Sequence, residues 1–434
     1  MIYTAIKKKS EIVCGDEIEE VTFTVPAENY FGIATIEEPP VITWEKSLPQ
    51  AFNKPVGCSP LRELAKKADK IAIIVSDSTR GVPTANILPF VLKELSLAGV
   101  TPDQIVVVIA TGAHRAATES EMQEIIGEDL VGKVQVINHD AFQDDSFVFI
   151  GTTSYGTPVE INKTVFQCDF RISIGKVEPH EFAGFSGGRK SVLPGVSSEK
   201  TIKINHRPEM MLAERSRIGI LDGNPISDDM EQAAKMFGVD FTVNVVLDSA
   251  GQAVEIFTGD LVECHRKAVD FMRSFCQMDI SDHPDIIVTT PGKPLNINLY
   301  QAVKPLFVLE DLLLPGGVMI LYCSCPDGIG APDLLLPYEG AKDPDEVISR
   351  LKEHFEIQMD QALYLCRILQ KGIHIIIYSP NVEPDLIRKM FMVPAYSLQD
   401  ALHAAYSLTR TNKKRYPQVM YFPQAQRALP RIMG

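Results

Sequence analysis

Two uninterrupted apolar runs, residues 70–76 (KIAIIVS) and 104–110 (QIVVVIA), constrain this chain more than any other feature. Each has the length of a strand and shows no polar face, so each must be covered on both sides. Between them, Ile87, Leu88, Val91, Leu92 and Leu95 recur at helical spacing over residues 83–98. Strand, amphipathic helix and strand make the βαβ unit of a parallel sheet. The rhythm continues with a helix start at 119–126, strands at 134–138, 170–174, 242–247 and 254–258, and a helix at 261–275. Short alternating strands, such as residues 21–25, precede it.

A polar stretch at 279–284 breaks the pattern, and a second α/β series follows. Its expected elements are a strand at 285–289, a helix at 299–313, strands at 317–322 and 374–379, and helices at 345–354 and 398–410. At 434 residues the chain is too long for one ordinary core. The expected fold is therefore two α/β domains with mainly parallel sheets and an active site in the interdomain cleft. The first domain is expected over 1–280 with the C-terminal segment 412–434, and the second over 281–411. Ligands of such sheets bind beyond the carboxyl ends of the strands.

Composition excludes some classes. A net charge of −14 argues against a nucleic-acid binder, which needs excess Lys and Arg. No run approaches 18 uninterrupted apolar residues, and no apolar segment follows the N-terminal lysines, so neither a membrane span nor a signal peptide is expected. The eight cysteines are scattered, with no CxxC pair, as in a reduced cytoplasmic protein.

Five segments carry candidate chemistry. SDSTR (76–80) ends the first apolar strand: Arg80 can clamp a carboxylate, or Asp77 can simply cap a helix. TGAHR (111–115) ends the second, where His114 suits a general base or is a loop histidine. Residues 175–191 (GKVEPHEFAGFSGGRKS) are the richest. His180 lies just past a strand, Gly184, Gly187 and Gly188 allow backbone N–H groups to converge on a phosphate, and Lys190 can bind that phosphate or react with an electrophile. The spacing resembles a P-loop ending at Lys190 and Ser191, but Arg189 stands where glycine is required. His206 ends a short helical segment, as a metal ligand or a dipole partner. In NLYQAVK (298–304), Tyr300 and Lys304 share a helix face beside Gln301. His139 is either near the site or structural, and His265, His354, His374 and His403 show no convergent partners.

Taken together, SDSTR, TGAHR, EPHEFAGFSGGRK (178–190), Asn205-His206 and NLYQAVK resemble the LarA lactate racemase family of nickel-pincer enzymes. The resemblance implies an isomerase that racemises or epimerises C2 of a lactate-like 2-hydroxy acid through a 2-keto acid. It implies a nickel-pincer nucleotide (a pyridinium-3,5-bisthiocarboxylic acid mononucleotide) tethered to Lys190. His206 is then the nickel ligand, and His114 and His180 are the acid/base pair. Arg80, Tyr300, Gln301 and Lys304 bind substrate, and Asp77, Thr79, Gly184, Gly187 and Gly188 contact the cofactor. The implied partners are the maturation enzymes: a carboxylase/hydrolase, a sulfur transferase and a nickel insertase. One departure stands out: residues 356–366 (EIQMDQALYLC) lack the tryptophan expected there, and the single tryptophan is Trp44. That departure opens the pocket to something other than lactate: a larger aliphatic, aromatic, dicarboxylic or sugar acid. The competing expectations are an ATP-binding enzyme built on 184–191 and a zinc hydrolase using His114, His180 and His206.

Overall fold

The computed structural model describes residues 10–15, 20–409 and 416–433. The N-terminal lysines and residues 410–415, where the expected end of a helix and the start of the C-terminal segment fall, lie outside the described residues. In chain order, a hairpin of β1 (Ser10–Gly15) and β2 (Glu20–Val25) is followed by β3 (Tyr30–Ile33). Two compact units form, one of Glu38–Phe275 and one assembled from both chain ends, Met1–Glu37 with Cys276–Gly434.

The central unit, Glu38–Phe275, contains β4 (Ile71–Ser76), β5 (Ile105–Ala110), β6 (Gln135–Asn138), a hairpin of β7 (Phe147–Thr152) with β8 (Pro158–Asn162), and β9 (Phe170–Lys176). A two-residue pair follows, β10 (Pro179–His180) with β11 (Gly184–Phe185), and then β12 (Phe241–Leu247) and β13 (Ala253–Gly259). Its sheet runs β13-β12-β9-β4-β5-β6, parallel except for β13. The first five residues of β4 and of β5 are all buried, as their unbroken apolar runs require. The helix Thr84–Leu97 buries Ile87, Leu88, Val91 and Leu95 in the core beneath them. From β4 the chain builds outward through β5 and β6, then returns to place β9 on the other side of β4. This reversal opens a crevice at the carboxyl ends of β4 and β9, the usual ligand position in open α/β sheets.

The other unit carries β14 (Gln277–Ile280), β15 (Ile286–Thr289), β16 (Val318–Tyr322), β17 (His374–Tyr378), β18 (Val393–Ala395), β19 (Val419–Tyr421) and β20 (Leu429–Ile432). Its sheet runs β18-β17-β16-β15-β19-β3 and is parallel throughout. The expected domain division is corrected here. Residues up to Glu37 and the C-terminal segment belong with the second α/β series, because β19 pairs with both β15 and β3. The β1–β2 hairpin adds Ile12, Phe23 and Val25 to the same core. A strand's sequence reports its burial but not its partner. The helix expected over 299–313 is also two shorter ones, Leu299–Ala302 and Lys304–Leu309. Pro305 has no N–H to give the carbonyl of Gln301, so the turn is interrupted there. Among the described residues, no helix is long and apolar enough to cross a membrane.

Candidate active site

At the end of β4, Asp77 caps a short turn, Ser78–Arg80, through its Oδ1, which accepts from the N–H and hydroxyl of Thr79. Its other oxygen lies 2.8 Å from Nδ1 of His114, on the loop that ends β5. Arg80 approaches the far side of the same ring, Nη2 to Nε2 at 3.4 Å. Burial opposes the Asp77 charge, but the His114 hydrogen bond and the Arg80 guanidinium outweigh it and hold the carboxyl below its ordinary value. An anionic Asp77 makes Nδ1 the protonated nitrogen of His114 and leaves Nε2 with the lone pair. That is the orientation a general base needs.

The loop carrying His114 is tied to the loop carrying Lys190. Gly112 turns with φ +55°, its N–H donates to the Gly195 carbonyl at 3.1 Å, and the Gly195 N–H donates to the Lys190 carbonyl at 3.0 Å. His139, left between site and scaffold by its sequence, is scaffold. It is buried, bonded to the Ser197 carbonyl and the Asn162 amide, and burial lowers its pKa to about 4.

Beyond β9, the pair β10–β11 presents His180, whose Nδ1 lies 3.2 Å from Oε2 of Glu181. Phe182 is the centre of this region. The His180 ring meets it edge-on at 4.6 Å, the His206 ring does so at 5.0 Å, and Nζ of Lys190 lies 5.4 Å from its centroid. One buried aromatic ring thus gathers three of the residues singled out from sequence. His206 is the C-cap of the helix Glu199–Asn205, and its Nδ1 donates to the Ile202 carbonyl at 3.0 Å. Burial, then the Lys190 charge, push its pKa down to about 3. It is a neutral imidazole with Nε2 as the lone-pair nitrogen, the form in which histidine binds a metal.

The glycines have a packing reason that the phosphate expectation did not include. A Cβ at Gly184 would lie 2.1 Å from the Ile220 carbonyl oxygen, and one at Gly188 2.9 Å from the His265 ring. The Gly188 N–H is also taken, by Asn244 Oδ1 at 3.1 Å. Arg189, the residue that spoils the P-loop pattern, is the post of the loop. Buried, it donates to the carbonyls of Ala183 and Phe185 and to the Ser227 hydroxyl, and it lies 2.9 Å from Nε2 of His265. His265 therefore does have convergent partners, contrary to expectation. The ATP-binding alternative loses its geometry as well. Lys190 lies in a four-residue 3-10 turn with no α-helix N-terminus behind it, and the Ser191 hydroxyl donates to the Gly188 carbonyl. Among the described residues, no group of three or more His, Cys, Asp or Glu side chains is placed to hold a metal, so the three-histidine zinc site is not assembled.

In the other unit, Asn298 caps the helix Leu299–Ala302 by accepting the Gln301 N–H at 3.0 Å, and the Tyr300 hydroxyl donates to Asp360 at 2.8 Å. Lys304 opens the following helix.

The sequence matches the lactate racemase N-terminal domain over residues 17–219 and the lactate racemase C-terminal domain over 280–419. It is 36% identical over 374 residues to the lactate racemase of Thermoanaerobacterium thermosaccharolyticum, spanning 85% of this chain and 87% of that protein. The chain belongs to the lactate racemase family. The lactate racemase of Lactiplantibacillus plantarum is likewise 36% identical over 397 residues, spanning 89% of this chain and 92% of that one. The lactate racemase apoprotein structure from T. thermosaccharolyticum superposes with a TM-score of 0.89 at 33% identity, over 98% of this chain and 100% of that one. A Thermotoga maritima protein shares the fold at 19% identity, with a TM-score of 0.69 over 92% of this chain and 100% of that one. By its family this protein is an isomerase, a racemase.

Sequence reasoning missed Phe182, Glu181 and the Arg189–His265 post. The spacing of Phe182, two residues after His180, was the only local signal for it. Arg189 and His265 are 76 positions apart and left none.

Proposed function

We propose that this protein racemises or epimerises C2 of a 2-hydroxy carboxylic acid by proton-coupled hydride transfer, in the cytoplasm, with a nickel-pincer nucleotide tethered to Lys190. The gathering of His180, His206 and Lys190 around Phe182 supports this reading most strongly. The residues suit the cofactor: a dry imidazole offers Nε2 to nickel, and a lysine stands on the same ring to carry the nucleotide. When bound, the cofactor supplies a reversible hydride acceptor, so the poorly acidic α-hydrogen need not leave as a proton.

This chain's side chains handle charge and protons. Arg80 and Lys304 are the substrate-anchoring cations, which keep the 2-keto acid in place while it reorients, and Tyr300 and Gln301 line the substrate pocket. His114, held by Asp77, takes the hydroxyl proton of one enantiomer through Nε2, and His180, with Glu181 at its side, serves the other. Asp77 and Thr79, with the Gly184–Gly188 loop, would contact the cofactor. Maturation needs separate carboxylase/hydrolase, sulfur transferase and nickel insertase partners.

The test is intact mass, metal content and chiral chromatography on protein made in a host that supplies that maturation pathway. Added mass on the Lys190 peptide, near-stoichiometric nickel and interconversion of enantiomers are expected. Nickel-free, unmodified protein from a host that loads a relative would overturn the reading.

A further inference from the structure

The start of the helix Asp360–Gln370 holds a polar group that the reading above does not use. Asp360 and Gln361 are 7% and 1% exposed. Asp360 Oδ1 accepts the Tyr300 hydroxyl at 2.8 Å and the Gln361 backbone N–H at 2.9 Å. Its Oδ2 accepts from Nε2 of Gln361 at 3.4 Å, which turns the carboxamide toward the Tyr300–Asp360 pair. The other end of that carboxamide, Oε1, is buried and has no hydrogen-bond partner among the described residues. A buried carbonyl left unpaired is costly, and native proteins rarely keep one without a use.

We infer that Gln361 is a specificity residue and that the substrate is a 2-hydroxy acid with a further hydroxyl beyond C2, whose O–H donates to Gln361 Oε1. The inference rests on the racemase reading, which assigns Tyr300 to the substrate pocket. The unmet need at Gln361 is for a donor. The Tyr300 proton is committed to Asp360, Nε2 of Gln361 is engaged there too, and the open position is an acceptor. A second carboxylate on the substrate has no proton to give at neutral pH. A methyl or phenyl group leaves Oε1 dry and unpaired. A hydroxyl satisfies it, and sites built around such a bond strongly reject analogues that lack it.

The experiment uses nickel-loaded holoenzyme with 2,3-dihydroxypropanoate, lactate, malate and 3-phenyllactate, each followed by chiral chromatography. The dihydroxy acid is expected to exceed the other three in kcat/KM by at least about tenfold. Gln361→Met, of similar volume but without the acceptor, is expected to bring its ratio to lactate close to one. The ratio is taken within one preparation, so loss of folded protein cancels. A wild-type preference for lactate, malate or phenyllactate overturns the inference and leaves the racemase reading standing. So does a ratio unchanged in Gln361→Met. Loaded protein that interconverts none of the four overturns the racemase reading, and this inference with it.

Discussion

His114 and His206 are the same side chain in two opposite settings. His114 stands at a strand end, about a third exposed, with a buried aspartate on one nitrogen and an arginine near the other. His206 is buried at a helix end, with a backbone carbonyl on one nitrogen and a pKa of about 3. A carboxylate on Nδ1 fixes the tautomer and leaves the Nε2 lone pair available, so the first setting suits a general base. Burial and then the nearby Lys190 charge disfavour the imidazolium of His206 and outweigh the carbonyl's bond to Nδ1, so the second suits a ring that stays neutral and gives its lone pair to a metal. Partner and hydration, more than residue type, divide the labour.

Exchanging the roles in experiment is the sharpest test of that division. His206→Ala is expected to leave nickel at about a tenth of the wild-type content or less and to abolish turnover. His114→Ala should keep nickel while kcat falls about 10²–10⁴-fold. Metal analysis beside chiral turnover reads both, and nickel lost equally in the two variants would break the comparison. A subtler change is Asp77→Asn, which keeps the shape of the cap but removes the anion that sets the His114 tautomer. A fall in kcat of about 10²-fold with nickel retained is expected, and unchanged kcat would remove Asp77 from the mechanism.

The scaffold differs from the site in what its polar groups are for. Arg189→Met should leave the loop carbonyls and the Ser227 hydroxyl without their donor and destabilise the protein by about 2–4 kcal/mol in denaturant titration. A loss under about 0.5 kcal/mol would mean that the loop is held by its glycine packing instead. The mildest effect concerns pH. His139 is neutral in the fold, with its pKa lowered from 6.5 to about 4. The unfolded chain therefore binds more protons there, and stability falls as pH drops below 6.5, by at most about 1.4 kcal/mol per pH unit, levelling off near pH 4. His139→Gln should flatten that slope in the apoprotein, and an unaltered slope would place its source elsewhere.

Much of this protein is legible along the chain. The apolar runs of β4, β5 and β9 pointed to covered strands, and the polar residues at their ends pointed to a crevice. The family motifs named His114, His180, Lys190 and His206 one at a time. What the chain did not show is what those residues lean on. Pro305 was visible, yet the helix around it was expected to run through. The glycines were read for a phosphate, whereas three-dimensional packing against Ile220 and His265 also demands them. The ends of the chain were assigned to the wrong unit, because parallel strands choose neighbours across long separations. Local sequence determined where strands, turns and reactive side chains lie, since those depend on burial pattern and backbone freedom. Only the tertiary structure decided the pairing of Asp77 with His114, the ring of Phe182 among three residues singled out from sequence, the Arg189 post and the open acceptor of Gln361. Each is a contact between atoms that the chain brings together only by folding.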